Sequence, residues 1–261
     1  MSRLTKIIAG TAAVALGLAG CSSTDNPSAD NSLGTITAGT LKICADAPFP
    51  PFEIEDSTTA SGYSGFDIDL MEAITQKLDL KLVVVATDFN VLQSGAPLAS
   101  SCDVGASAIT ITDEREANMD FSDPYYDSIQ SLLVAKSSGI TSLDDMAGKN
   151  LGLQTGTTGE DYANANAPKT AKLIMFPSDG EMWPALQGGQ VDALLQDYPV
   201  NLQHAKDDSS YIIVAKYPTD EHYGFALAKG KNPVLLSAIN NALQELRDDG
   251  TYDTIYNKYF S

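Results

Sequence analysis

The sequence predicts an α/β protein in which one pattern of strand, helix and parallel sheet is used twice. The first observation is the order of apolar runs. Leu41 to Ala45, Leu82 to Ala86 and Cys102 to Ile109 read as buried strands with helical segments between them, and β-α-β-α-β implies crossovers and a parallel sheet. The second is that the pattern restarts at Leu151 to Leu153 and continues through Leu173 to Phe176 and Val191 to Leu195, repeating the logic of the first unit without repeating its sequence. The third is length: 261 residues can hold one large or two small domains with real cores.

The N-terminus carries targeting information. Arg3 and Lys6 make a positive start and Ile7 to Leu18 a short apolar stretch, too short for a permanent span. Leu18-Ala19-Gly20-Cys21 followed by two serines resembles a bacterial lipobox, so residues 1–20 are expected to be a lipoprotein signal peptide and Cys21 the lipidated residue. Residues 21–40 are rich in Ser, Thr, Asn, Asp and Gly and read as a flexible tether. The protein is then expected at the extracytoplasmic face of the cell membrane, anchored by lipid and not embedded. Setting Cys21 aside leaves Cys44 and Cys102. Outside the cytoplasm two thiols permit one disulfide; two buried free thiols are the alternative, and the bridge is the expectation.

With 34 acidic against 16 basic residues the formal charge is −18. That surface argues against nucleic acid, which needs basic patches. No cofactor or metal is expected. The glycines at 152, 156 and 159 fit neither the Walker nor the dinucleotide pattern, there is no zinc or calcium motif, and His204 and His222 read as surface or structural groups.

Along the chain, Asp46 to Glu53 contains three prolines and must be an irregular loop after a strand, where open α/β sheets bind ligands. A helix opens at Gly65-Phe66-Asp67, with Asp67 as N-cap and Ile68, Met71, Ile74 and Leu78 facing the core. Asp88-Phe89 begins a loop and a short helix. In the second unit, helices are expected over Glu160 to Asn166, over Asp179 to Gln187 and through His204, and a strand over Tyr211 to Val214. Tyr223 to Ala228 reads as a strand returning to the first unit, Asn232-Pro233 caps a long helix, and Gly250 separates it from a last helix with a core stripe of Tyr252, Ile255, Tyr256 and Tyr259.

The stretch Ala106 to Arg115 ends a strand and opens a helix, with Thr110, Thr112 and Arg115 at the changeover. Two readings fit. One is a surface helix capped by Thr112 with Arg115 solvated. In the other, an anion meets the helix N–H groups and the arginine fork. Arg115, Thr110 and Thr158 favour an anion, Asp197 and Asp46 favour cations, and Phe49 and Phe89 could supply apolar walls. An α-amino acid, with one carboxylate and one ammonium, matches that inventory.

Gly65-Phe66-Asp67-Ile68-Asp69-Leu70, Ile109-Thr110-Ile111-Thr112-Asp113-Glu114-Arg115, Asp120-Phe121-Ser122-Asp123-Pro124-Tyr125-Tyr126 and Asp249-Gly250-Thr251-Tyr252-Asp253-Thr254-Ile255-Tyr256 together resemble the family 3 extracellular solute-binding proteins. These are polar amino-acid receptors of ABC importers, and the match runs in colinear order from about Leu41 to Phe260. The resemblance implies a type II periplasmic-binding-protein-like fold: two α/β lobes joined by two hinge strands. Residues 41–124 and 227–261 would form lobe 1 and 130–220 lobe 2, with hinges near 125–129 and 221–226.

By family position, Arg115 would clamp the α-carboxylate, helped by the hydroxyl and N–H of Thr110 and the N–H of Thr158. Asp197 and the carbonyl of Ala108 would take the ammonium. Asp46, Phe49, Phe89, Gln154 and Gln196 would surround the side chain, the two glutamines standing where relatives often carry a basic residue or histidine. The resemblance thus implies a monomeric binding protein, not an enzyme, whose partners are a free basic or amide amino acid and the importer's membrane subunits. The alternative on the same fold is a cyclohexadienyl (prephenate/arogenate) dehydratase, with Asp197 as the acid.

Overall fold

A computed structural model describes residues 31–261. The signal peptide and Cys21 lie outside the described residues.

The chain opens with β1 (Thr40–Ala45), a small hairpin of β2 (Ile54–Glu55) and β3 (Tyr63–Ser64), then α1 (Phe66–Lys77), β4 (Lys81–Ala86), α2 (Phe89–Leu92), β5 (Val104–Gly105), α3 (Asp113–Glu116) and β6 (Met119–Phe121). A long strand, β7 (Tyr126–Ala135), leads into β8 (Asn150–Gln154), α4 (Thr158–Asn166), β9 (Lys172–Phe176), α5 (Asp179–Gln187), β10 (Ala193–Asp197) and α6 (Tyr198–Asp207). The chain returns along β11 (Tyr211–Tyr223) and β12 (Ala226–Ala228), and closes with α7 (Pro233–Asp248) and α8 (Thr251–Phe260).

Two five-stranded sheets result, in the orders β4-β1-β5-β12-β6 and β11-β7-β10-β8-β9. In the first, β1 pairs in parallel with both β4 and β5; in the second, β8 pairs in parallel with β9 and β10. The parallel order expected from the apolar runs is therefore present in both. Antiparallel pairs complete each sheet: β12 with β5 and β6 in the first, and β7 with β10 and β11 in the second, where the two strands that cross between the units, β7 and β11, pair from Ala135–Tyr211 to Tyr126–Tyr223. We call the two sheets with their helices the first and second lobes.

Each lobe has its own buried core. In the first, Leu41, Ile43, Phe66, Ile68, Met71 and Ile74 pack against Leu235, Ile239 and Leu243 of α7. In the second, Leu132, Val134, Leu151, Leu153 and Leu195 pack together. Phe52 sits where the crossing strands meet the first lobe. It makes edge contacts with Tyr126 and Tyr223 at 5.2 and 5.4 Å, and Tyr126 stacks on Tyr223 at 5.5 Å. Such ring pairs add to the burial of their area, so they root both crossing strands in the first lobe. Cys44 and Cys102 form a disulfide beside β1 and β5, as expected.

Several elements depart from the pattern-based reading, each for a physical reason. The strand expected over Cys102 to Ile109 is regular only at Val104–Gly105. Beyond it Ala108 takes a left-handed φ of 45°, and its N–H is drawn 2.8 Å from Asp67 Oδ2. Asp67 is consequently not an N-cap: Gly65 holds that position without a side-chain bond, and Asp67 is buried inside α1, accepting also from the Tyr125 hydroxyl at 2.6 Å. Leu78 is the C-cap residue beyond α1. β4 is an edge strand with mixed exposure and not a buried one. β11 runs nine residues past the expected Val214, to Tyr223, because β7 supplies a partner along the way. The α8 stripe packs on Phe66 but buries none of its residues fully. Residues 31–39, part of the expected tether, are tied to the first lobe: Ile36 N–H donates to Asp103 at 2.6 Å, and Asn232 donates to the carbonyls of Leu33 and Gly34.

Candidate ligand-binding site

The polar residues singled out in the sequence converge because each follows a strand of one sheet or the other. Asp46 and Phe49 follow β1, Phe89 follows β4, and Ala108 to Arg115 follow β5. From the second lobe, Gln154 ends β8, Thr158 begins α4 and Asp197 ends β10. All line one cavity between the lobes, with about 300 Å³ of space free of protein atoms, its opening to solvent included. Ser107 and Thr157 complete the wall and were not foreseen. Gln196 is not part of the lining. Its amide is turned away, donating to Asp179 and Asn201 at 3.0 Å each.

Thr112 caps α3, accepting the Arg115 N–H at 3.2 Å, so that half of the surface-helix reading is correct. The other half is not: Arg115 is only 6% exposed. Its Nη1 donates to the Thr110 carbonyl at 2.8 Å and its Nη2 crosses to the Gly156 carbonyl at 2.9 Å. Gly156 can present that carbonyl because its φ of 80° is open to glycine. A guanidinium has five N–H donors in a fork, so several remain for an anion after these two bonds. The group also stands 5.3 Å from the centre of the Phe89 ring. Burial lowers the Arg115 pKa from its ordinary value, and the charge on Asp197 is the largest influence opposing that.

Asp197 closes the same end of the cavity. Its Oδ1 accepts from Gln130 Nε2 and its Oδ2 from the Tyr223 hydroxyl, both at 2.5 Å. Burial, reinforced by the neighbouring Glu221 charge, pushes its pKa up to about 7. Gln130, Glu221 and Tyr223 were missed in the sequence because they carry no motif; they lie on the crossing strands, whose long pairing was not foreseen. α4 approaches this end closely: a Cβ on Gly159 would stand 3.0 Å from Gln130 Oε1.

At the other end, Asp46 is 7% exposed and its pKa is raised to about 6, first by burial, while the Gln154 bond opposes the rise. Gln154 Nε2 reaches across from the second lobe to Asp46 Oδ2 at 2.6 Å and also donates to the Pro177 carbonyl at 3.1 Å. Ser107 Oγ accepts the Asp46 N–H at 3.0 Å. His204 is structural: it is buried, bonded to Asp179 at 2.9 Å and stacked on Trp183 at 4.4 Å. His222 lies on the surface beside Asp127, and no helix among the described residues is long and apolar enough to cross a membrane.

Known proteins share this architecture. The ABC transporter glutamine-binding protein of Bacillus subtilis (strain 168) is 35% identical over 203 residues, covering 75% of this chain and 72% of its own. An ancestral arginine-binding protein bound to arginine superposes with a TM-score of 0.77 at 38% identity, over 85% of this chain and 99% of that one. An ancestral amino acid-binding protein that is a precursor of cyclohexadienyl dehydratase superposes with a TM-score of 0.75 at 36% identity, over 85% and 96%. Residues 41–261 match a single family throughout, and the chain belongs to the bacterial extracellular solute-binding proteins, family 3.

Proposed function

We propose that this protein is the extracytoplasmic receptor of an ABC importer, capturing a free polar L-amino acid and delivering it to the importer's membrane subunits. The observation that carries this is one small cavity with Arg115 contributed by the first lobe and Asp197 by the second. A carboxylate on the Arg115 fork and an ammonium on Asp197 would desolvate two charges against two opposite ones, which strengthens both contacts. The backbone N–H groups of Thr110 and Thr158 would assist the carboxylate, and the Ala108 carbonyl the ammonium. Residues 41–124 with 227–261, and 130–220, would move as the two lobes about hinges near 125–129 and 221–226, in the manner of hinge closure.

The far end of the cavity favours a ligand side chain that donates hydrogen bonds. Gln154 has committed both amide protons, to Asp46 and to Pro177, so it can offer the cavity only its oxygen. Asp46 adds a carboxylate and Phe89 an aromatic wall. A guanidinium, an ammonium or a carboxamide fits this surface, and a cation adds charge and ring attraction. A side-chain carboxylate would face Asp46 unpaired. Relatives that bind arginine and glutamine agree with this choice. A lipid on Cys21 would tether the protein to the outer face of the membrane, and it would act as a monomer.

Binding, not catalysis, is our reading. One observation favours the dehydratase: an acid with a pKa raised to about 7 stands in the cleft. Yet both Asp197 oxygens already accept hydrogen bonds, an arrangement that suits a fixed anion facing an ammonium. A thermal-shift screen of the protein against the twenty amino acids tests the reading, since a ligand of the folded state raises its stability. Arginine, lysine or glutamine should give the largest rise and glutamate none. Turnover of prephenate or arogenate with no amino-acid shift would reverse it.

A further inference from the structure

Glu221 is a buried carboxylate that no part of the function above uses. It stands on β11 between two exposed neighbours, with 6% of its own surface accessible. The pairing of β11 with β7 is interrupted between Tyr217 and Glu221, and Asp220 takes a left-handed φ of 53° within that interruption. Such irregularities redirect a side chain from the face it would otherwise occupy. Here the result is a carboxylate pointing into the space where both lobes and both crossing strands meet.

Its four partners come from four different segments. Oε2 receives the hydroxyl of Thr110 from the first lobe at 3.1 Å and that of Thr158 from the second at 3.0 Å. Oε1 receives the Thr219 hydroxyl from β11 at 2.7 Å and the Gln130 amide from β7 at 2.9 Å. One carboxylate oxygen therefore joins a residue on each side of the cleft. This also corrects one detail of the expected site: the Thr110 hydroxyl donates its single proton to Glu221, so Thr110 retains only its backbone N–H for an anion.

We propose that Glu221 is a positioning residue that clips the closed cleft, holding the Thr110–Arg115 segment of the first lobe in register with the start of α4 in the second. The chemistry requires an anion. A buried carboxylate is tolerated when several donors satisfy it, and four do so here. A glutamine of the same shape has one acceptor oxygen, and its amide would turn donors towards groups that are themselves donating. Opening the cleft separates Thr110 from Thr158, so one of the two hydroxyls leaves Oε2. The clip forms late in closure and acts against reopening. It does not lie in the cavity lining, so its effect falls on how long a ligand stays more than on how fast it enters.

The proposal rests on the amino-acid-binding reading for its first test and not for its second. In stopped-flow measurements with L-arginine, Glu221→Ala is expected to raise the dissociation rate by about tenfold or more while leaving the association rate within about twofold. Thr158→Val should raise dissociation less, and should add nothing in the Glu221→Ala background because both act through one oxygen. Equal dissociation rates for Glu221→Ala and the unaltered protein, or a full Thr158→Val effect in that background, overturns the clip. If Glu221→Ala fails to fold, Glu221→Gln and Thr158→Val carry the same comparison. Without ligand, small-angle scattering should give a larger radius of gyration for Glu221→Ala, and an unchanged radius counts against the clip. Failure of the unaltered protein to bind any amino acid would defeat the receptor reading, and the scattering comparison would then decide the clip alone.

Discussion

The two ends of the cavity are built differently. At one end Arg115 and Asp197 are held by several bonds each: two carbonyls for the guanidinium, and Gln130 and Tyr223 for the carboxylate. At the other, Asp46 and Gln154 meet through one side-chain bond across the cleft, backed by Ser107 and Pro177. The first end is over-determined and addresses what every amino acid has. The second is set by a few exchangeable side chains and addresses what distinguishes one amino acid from another. A receptor of this kind can change its ligand by altering the second end without disturbing the first.

The largest effect should come from breaking the shared end. Arg115→Ala is expected to weaken binding of any amino-acid ligand by about 2–5 kcal/mol, the usual cost of leaving a buried charge without its partner. Calorimetry that finds near-unchanged affinity would remove Arg115 from its role. Next, Asp46→Asn should cost a basic ligand about 1.5–3 kcal/mol, as for a hydrogen bond to a charged group, and an amide ligand clearly less. Equal losses for arginine and glutamine would mean that Asp46 does not select by charge.

Proton linkage separates the two ends again. Asp197 has its pKa raised to about 7 by burial, and a bound ammonium would favour its charged form and bring that value down. Affinity is then complete above pH 7 and falls as pH drops through 7, for every ligand. Asp46, raised to about 6, adds a second loss below pH 6 that only a cationic side chain should feel. Titrations in buffers of different ionisation enthalpy should detect proton release on binding near pH 6, and a flat profile from pH 5.5 to 8 would contradict the assignment. The smallest effect belongs to Gln196→Ala. Gln196 lies outside the cavity wall, bonded to Asp179 and Asn201, and about 1 kcal/mol is the expected loss.

Much of this arrangement was legible in the sequence, and the missing parts share a cause. Strands β1, β8 and β9, helices α5 and α7, and the Cys44–Cys102 pairing follow from local periodicity, capping residues and cysteine count. Of the expected ligand-contacting residues all but Gln196 reach the cavity wall. Long-range partners were not legible. Asp67 was given a local role as a cap, whereas its bonds go to Ala108 and Tyr125, 41 and 58 residues away. Glu221 had no pattern to mark it, because three of its four partners, Thr110, Gln130 and Thr158, come from segments far away in the sequence. Gln196 sits beside Asp197 in sequence, but neighbouring residues of a strand point to opposite faces, and that alternation turns it away from the cavity.

The central claim is that one ligand bridges Arg115 and Asp197. Calorimetric titration of the protein with L-arginine and with agmatine, which keeps the guanidinium and the amine but lacks the carboxylate, tests it most directly. The account predicts binding of arginine with agmatine weaker by about a hundredfold or more, the equivalent of losing a buried charge pair. Equal affinity for the two would contradict it.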